Sequence, residues 1–332
     1  MHSFANMSPY SVRIVEKNAP PSAWLWRLQE IRLGDRLRIP ALDFPADQVT
    51  AVLGHSGAGK TSLLNLLVGF EKPDAGTVTP HPRAQPFFWV PQNAGLWPHL
   101  TAREHLRLVR GKAHAECDAA LDARLAAFDL AERARARPAT LSSGECARLA
   151  VARALAFPNA AVLVMDEPLA HVDSARSGSY WRTMRGHLQA QGTALIFSTH
   201  SPEIVLAEAT HAVCLQASRL RFAGDVPTLY QSAPDEELAN FLGPVNWLPA
   251  AEAARWLSNQ PTLETPCVRP EKISLEVADD ARFVVTATRF FGSHAEAELH
   301  DPATGETRRF FHRPANNAGL RPGSRVRIQC LR

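Results

Sequence analysis

Long apolar runs are missing from this chain. Runs such as Ala160 to Met165 and Ala194 to Phe197 fall far short of the roughly 18 residues that a membrane-spanning helix needs. No bilayer crossing is expected. The first twenty residues (MHSFANMSPYSVRIVEKNAP) also lack the unbroken apolar core of a secretory signal, so residues 1–20 are expected to form a loose tail on a cytoplasmic protein. Cysteine is sparse: Cys117, Cys146, Cys214, Cys267 and Cys330 are widely spaced and form no CxxC pair. That excludes a disulfide framework and a zinc site, and leaves reduced thiols. An excess of one charge is absent as well, with 36 Lys and Arg against 33 Asp and Glu, so no broad electrostatic footprint for DNA or RNA exists.

What is present is an ordinary globular balance, 45% hydrophobic and 21% charged over 332 residues, which suits two domains with a core each. From Trp24 to Leu53 the pattern is of short strands broken at Gly34-Asp35 and at Pro45-Ala46-Asp47. A helical region rich in Ala, Leu and Arg follows, about residues 93–157, with Thr101 and Glu104 spaced as a capping box and Pro138 as a break. Strand-like runs return at Ala160 to Met165 and Thr193 to Ser198, separated by a helix. The alternation predicts an α/β fold with a parallel sheet covered on both faces. Residues 236–332, with 12 acidic and 12 basic side chains, read mostly as short strands, so a domain over 21–235 and a small all-β domain over 236–332 are expected.

The strongest local signal is AVLGHSGAGKTS, Ala51 to Ser62. Gly54, Gly59, Lys60 and Thr61 satisfy the G-x-x-x-x-G-K-[ST] pattern of a phosphate loop directly after an apolar strand. Backbone N–H groups of Gly54, His55, Ser56, Gly57, Ala58, Gly59, Lys60, Thr61 and Ser62 would turn toward phosphate oxygens, helped by the positive end of the following helix. Lys60 would reach the β- and γ-phosphates, and the Thr61 hydroxyl would hold Mg²⁺. A P-loop NTPase domain binding ATP and Mg²⁺ is therefore expected.

AAVLVMDEP sets Asp166 and Glu167 at the C-terminal end of a hydrophobic strand, where ligands of open α/β sheets bind. Asp166 is placed to hold Mg²⁺ and Glu167 to polarise an attacking water. LSSGECAR, Leu141 to Arg148, opens a helix, so Ser142 and the first free N–H groups form a second anion site. By itself that string is only a good N-cap.

The order of motifs adds to this. The phosphate loop, Gln92 in VPQ, LSSGE, LVMDEP, Asp173 in LAHVD and His200 in FSTH together resemble the ATP-binding subunits of ABC transporters, from about Leu28 to Phe222. The resemblance implies that Gln92 senses the γ-phosphate and Mg²⁺, that His200 contacts the γ-phosphate, that Ser142 and Gly144 face the nucleotide of a second copy, and that Asp173 couples the two sites of a homodimer. LWPHLTAREHL, Leu96 to Leu106, resembles the segment that lies against the transmembrane partner. Three departures stand out: Ser143 and Glu145 replace a glycine and a glutamine of the usual signature, Leu33 aligns with the aromatic that stacks on adenine, and His171 and Val172 precede Asp173 in place of a small residue and a leucine.

FLGPVNWLP, Phe241 to Pro249, and VRPEKI, Val268 to Ile273, resemble the small OB-like barrel (TOBE domain) appended to importer ATPases for ferric iron, polyamines, sulfate and some sugars. Arg269 and Glu271 are expected as an ion pair, with Trp247 and Phe283 either in the core or at a ligand. The implied function is the ATP-hydrolysing subunit of an importer, peripheral on the cytoplasmic face of the inner membrane. Its implied partners are a transmembrane permease, a second copy of itself and, indirectly, a solute-binding protein, with no nucleic acid. The implied cargo is an inorganic ion such as ferric iron, or a polyamine. A soluble ABC ATPase with a ligand-binding C-terminal module is the alternative.

Overall fold

A computed structural model describes residues 24–111, 118–259, 262–314 and 320–331. The expected tail over 1–20 and Cys117 lie outside them. The chain divides into two compact units, one ending at Val226 and the other starting at Pro227.

In the first unit the strands are β1 (Trp24–Leu33), β2 (Leu37–Pro45), β3 (Val49–Leu53), β4 (Ala75–Pro80), β5 (Phe87–Val90), β6 (Val162–Met165), β7 (Ala194–Ser198), β8 (His211–Gln216) and β9 (Arg219–Asp225). The helices are α1 (Lys60–Val68), α2 (Ala102–Arg110), α3 (Asp118–Ala127), α4 (Ser143–Ala156), α5 (Ser174–Gln191) and α6 (Pro202–Glu208). All nine strands join one sheet in the order β4-β1-β2-β9-β8-β3-β7-β6-β5.

Neighbours within β8-β3-β7-β6-β5 are parallel, and β3, β6 and β7 read as nearly unbroken apolar runs because both faces are covered. Beyond β8 the sheet is mixed, with β9 antiparallel to β8 but parallel to β2, a feature the parallel expectation did not contain. Ala217 and Ser218 alone connect β8 to β9, both with positive φ (46° and 64°), and a two-residue link forces an antiparallel pair. β1 then pairs antiparallel with β2 and β4. Trp26, Phe44, Leu63, Leu64 and Leu215 are among the residues that fill the core against this sheet.

Helices α2, α3 and α4 pack on one another. Thr101 and Glu104 form the expected capping box at the start of α2, and Ser142 with Glu145 forms a second at the start of α4.

The second unit holds short helices α7 (Val226–Ser232), α8 (Glu236–Asn240) and α9 (Ala250–Trp256) and strands β10 (Asn246–Trp247), β11 (Cys267–Val268), β12 (Ile273–Val277), β13 (Phe283–Phe290), β14 (Ala295–His300), β15 (Thr307–His312) and β16 (Arg325–Cys330). Its main sheet runs β12-β16-β13-β14-β15. Trp256, fully buried, stacks on Phe283 at 4.8 Å and meets Phe310 at 5.4 Å. Phe283 is thus core, while Trp247 is only partly buried.

The expected Arg269–Glu271 ion pair does not form. Arg269 donates to the carbonyls of Tyr230 (2.8 Å), Ala239 (3.0 Å), Gly243 (3.0 Å) and Pro244 (3.3 Å) and stacks over the Tyr230 ring. Glu271 instead accepts the Tyr230 phenol at 3.0 Å. Two of these carbonyls lie in the last turns of α7 and α8 and two in the segment past α8, none with an intrahelical donor to spare, and a planar fork meets all four better than one carboxylate would meet the fork.

Candidate nucleotide site

The site lies at the C-terminal ends of the parallel strands. β3 ends at Leu53, and residues 54–59 turn back into α1, whose first residue is Lys60. Two glycines are obligatory there. A Cβ on Gly54 (φ 157°) would sit 2.6 Å from the Leu215 carbonyl oxygen, and one on Gly59 (φ 99°) would sit 2.7 Å from that of Arg36. The Lys60 ammonium folds back over the loop and donates to the carbonyls of Gly54 (2.7 Å) and His55 (3.2 Å). An ammonium carries three donors, so one remains for an anion in the loop. Loop N–H groups, the N-terminal end of α1 and this cation form a concave anion cradle.

Two strands over, past β7, β6 delivers Asp166, 2% exposed. The Thr61 hydroxyl donates to its Oδ2 at 2.7 Å, and the Ser198 hydroxyl, from the end of β7, donates to its Oδ1. Ser198 also accepts the Glu167 N–H at 2.9 Å, so one hydroxyl orients both acidic residues. Sequence reasoning did not single it out. The available signal was a polar residue closing the apolar run Ala194 to Phe197, here fully buried. Glu167 has φ 49°, a left-handed conformation unusual for its type, and its Oε1 lies 3.5 Å from Nδ1 of the exposed His200 ring. Lys60, Thr61, Asp166, Glu167 and His200 thus converge from three strand ends. A hydroxyl and a carboxylate side by side are hard-oxygen donors that suit Mg²⁺.

Gln92 lies two residues past Val90, which is opposite Met165 in register and whose carbonyl accepts the Asp166 N–H at 2.8 Å. Its side chain is exposed.

Ser142, Gly144 and Asp173 form a separate group. The Ser142 hydroxyl accepts the Glu145 N–H at 3.2 Å, and the Glu145 carboxylate accepts the Ser142 N–H at 2.8 Å and Arg133 Nε at 3.0 Å. The Ser142 N–H, seconded by Arg133, holds the Glu145 carboxyl below its usual pKa. The departure at Glu145 therefore serves the helix cap. A Cβ on Gly144 would meet the His171 carbonyl oxygen at 2.9 Å, so the start of α4 packs closely on the segment leading to Asp173, the N-cap of α5. Along that segment Leu169 and His171 also take positive φ (60° and 66°).

The Leu33 side chain is buried in the sheet core, and only the turn beyond it is exposed. Trp26 is fully buried, and Trp24 meets His81 edge-on at 5.1 Å. No described helix is long and apolar enough to cross a membrane.

Residues 37–170 match the ABC transporter family and residues 267–331 the TOBE domain family. An Fe(3+) ions import ATP-binding protein of Pseudomonas fluorescens is 32% identical over 223 residues, which cover 62% of this chain and 63% of that protein. A spermidine/putrescine import ATP-binding protein of Nitratidesulfovibrio vulgaris is 33% identical over 226 residues, 64% of this chain and 61% of that protein. The matched region thus spans a little over six-tenths of the length of these relatives. Among solved structures, the ATP-binding subunit of an ABC transporter superposes with a TM-score of 0.52 at 22% identity, covering 62% of this chain and 92% of its own, which concerns the fold alone. The loop, the strand-end acids and these matches converge: the chain carries an ABC transporter ATP-binding domain followed by a TOBE domain.

Proposed function

We propose that this chain hydrolyses MgATP as the ATP-binding subunit of an importer. The observation that carries the reading is the convergence of Lys60, Thr61, Asp166, Glu167 and His200 at three neighbouring strand ends. Lys60 and the loop N–H groups bind the β- and γ-phosphates, and Glu167, oriented through Ser198, positions water and takes its proton. Thr61, Asp166 and Gln92 would hold Mg²⁺, which supplies charge neutralisation of the phosphates when bound. His200 adds a donor at the γ-phosphate.

The exposed cap at Ser142 has no phosphate of its own chain in the reading, so each ATP is completed by Ser142 and Gly144 of a second copy, with Asp173 linking the two sites. A transmembrane permease is the partner that receives the resulting motion, from the cytoplasmic face of the membrane. The names of the relatives support import, and the cargo proposed is an inorganic ion such as ferric iron, or a polyamine.

The test is size-exclusion chromatography and phosphate release with MgATP. Glu167→Gln should slow hydrolysis by about 10²–10⁴-fold and trap a dimer, whereas Lys60→Ala should weaken nucleotide binding and stay monomeric. A Glu167→Gln protein that remains monomeric at saturating ATP, or turns over at the wild-type rate, overturns the composite-site reading.

A further inference from the structure

Arg153 is a buried cation. It lies near the end of α4, is 2% exposed, and among the described residues no carboxylate pairs with it. Burial alone pushes its pKa down to about 10. Such a residue is costly where an apolar side chain of similar volume would pack, so what it touches matters.

Its Nη1 donates to the Gly95 carbonyl at 2.6 Å and its Nη2 to the Ala94 carbonyl at 2.9 Å. The guanidinium lies over the Trp97 ring at 4.9 Å and the Phe88 ring at 5.6 Å. Ala94 and Gly95 both take positive φ (63° and 54°), which for alanine is a strained conformation that its surroundings must hold. It is these two peptides that turn their carbonyls toward the arginine. From the other side, His105 of α2 accepts the Trp97 N–H at 2.9 Å through Nε2, while its Nδ1 lies 2.8 Å from the Thr101 carbonyl. The backbone of residues 94–97 is therefore fixed by side chains of two helices.

We infer that Arg153 is a positioning residue for Gln92. It makes the loop that carries Gln92 and the helix that begins at Ser142 move as one body, so that the Gln92 amide reaches the γ-phosphate and Mg²⁺ only when α4 is in register with the phosphate loop. The inference rests on the proposed ATPase reading for its chemical consequence. Its mechanical part, the clamp on residues 94–97, stands independently.

Three proteins test it: Arg153→Met, which keeps the volume and removes the donors, Arg153→Lys, which keeps one donor and the charge, and Arg153→Met combined with Gln92→Ala. Amide exchange of full-length protein without nucleotide should show faster exchange at Gly95 to Trp97 in Arg153→Met, with Arg153→Lys intermediate and the strands unchanged. With MgATP, Arg153→Met should keep KM within about twofold and lower kcat on the order of 10–100-fold. It should add no further loss to Gln92→Ala, because the two changes remove one interaction. Unchanged exchange at residues 95–97, or a kcat loss that multiplies with that of Gln92→Ala, overturns the inference. Wild-type protein with no ATPase activity would sink the functional reading instead, while the exchange result still decides the clamp. If Arg153→Met exchanges rapidly throughout, the Arg153→Lys protein carries the comparison.

Discussion

The Thr61 hydroxyl donates to Oδ2 of Asp166 at 2.7 Å, joining residues 105 positions apart in the chain. The pair puts a hydroxyl oxygen and a carboxylate oxygen at one point beside the anion cradle. Thr61→Val keeps the shape and removes one oxygen. We expect the Mg²⁺ concentration for half-maximal ATP hydrolysis to rise by about 10–100-fold, the scale of lost metal-site support, with the melting temperature nearly unchanged. Titration with Mg²⁺ at fixed ATP checks this, and an unshifted midpoint counts against Thr61 as a ligand.

Base recognition should be weak. Leu33 is turned into the core, Trp26 is fully buried and Trp24 is engaged with His81, so none of them stacks on a nucleobase. Aromatic stacking contributes about 1–3 kcal/mol per base, and without it GTP should be hydrolysed with kcat/KM within about tenfold of ATP. Competition between the two nucleotides in one assay measures this directly, and a preference of several hundredfold for ATP would refute it.

Partner coupling should be separable from chemistry. Phe70, 72% exposed just past the α1 cap at Gly69, and His99, exposed before α2, belong to neither the phosphate cradle nor the acidic pair. A Phe70→Ala, His99→Ala double variant should hydrolyse ATP alone at the wild-type rate and lose most of the stimulation given by co-purified permease. Equal loss of both would assign these residues to folding.

Acid should weaken the first unit through His211. Burial on β8 pushes its imidazole down to about 4, against a weaker opposing pull from Asp225, and its Nδ1 is buried without a hydrogen-bond partner. The ordinary value is about 6.5, so between pH 6.5 and 4 the unfolded chain binds the extra proton. Stability therefore falls as pH drops through that window and levels off below it. His187, also held near 4 by burial beside Arg124, acts in the same direction. Urea midpoints at pH 7 and pH 5 should differ less in His211→Gln than in wild type. An identical difference would remove His211 from the account.

The strand ends were the readable part of this molecule. Asp166, Glu167 and Lys60 follow or precede apolar runs whose character already fixes the edge they occupy, and both capping boxes are four-residue patterns whose geometry is local. What stayed hidden depends on distant partners. The β8–β9 hairpin turns on Ala217-Ser218, which carries none of the Asn-Gly or Asp-Gly signal of such turns. Arg153 looks like one more basic residue in an Ala- and Leu-rich helix, and its role comes from two carbonyls 58 and 59 positions upstream. Trp256, the centre of the second core, sits in a seven-residue helix between strands.

Arg269 also sets where the second unit can be cut as an inheritable piece. Its four carbonyl partners belong to residues 230–244, well upstream of the segment that matches the TOBE family at residue 267. A fragment begun at 267 strands a charged fork that the intact unit buries, whereas one begun at 227 keeps every acceptor. Exchange of this module between proteins, by recombination or at the bench, must therefore carry about forty residues more than the family boundary suggests.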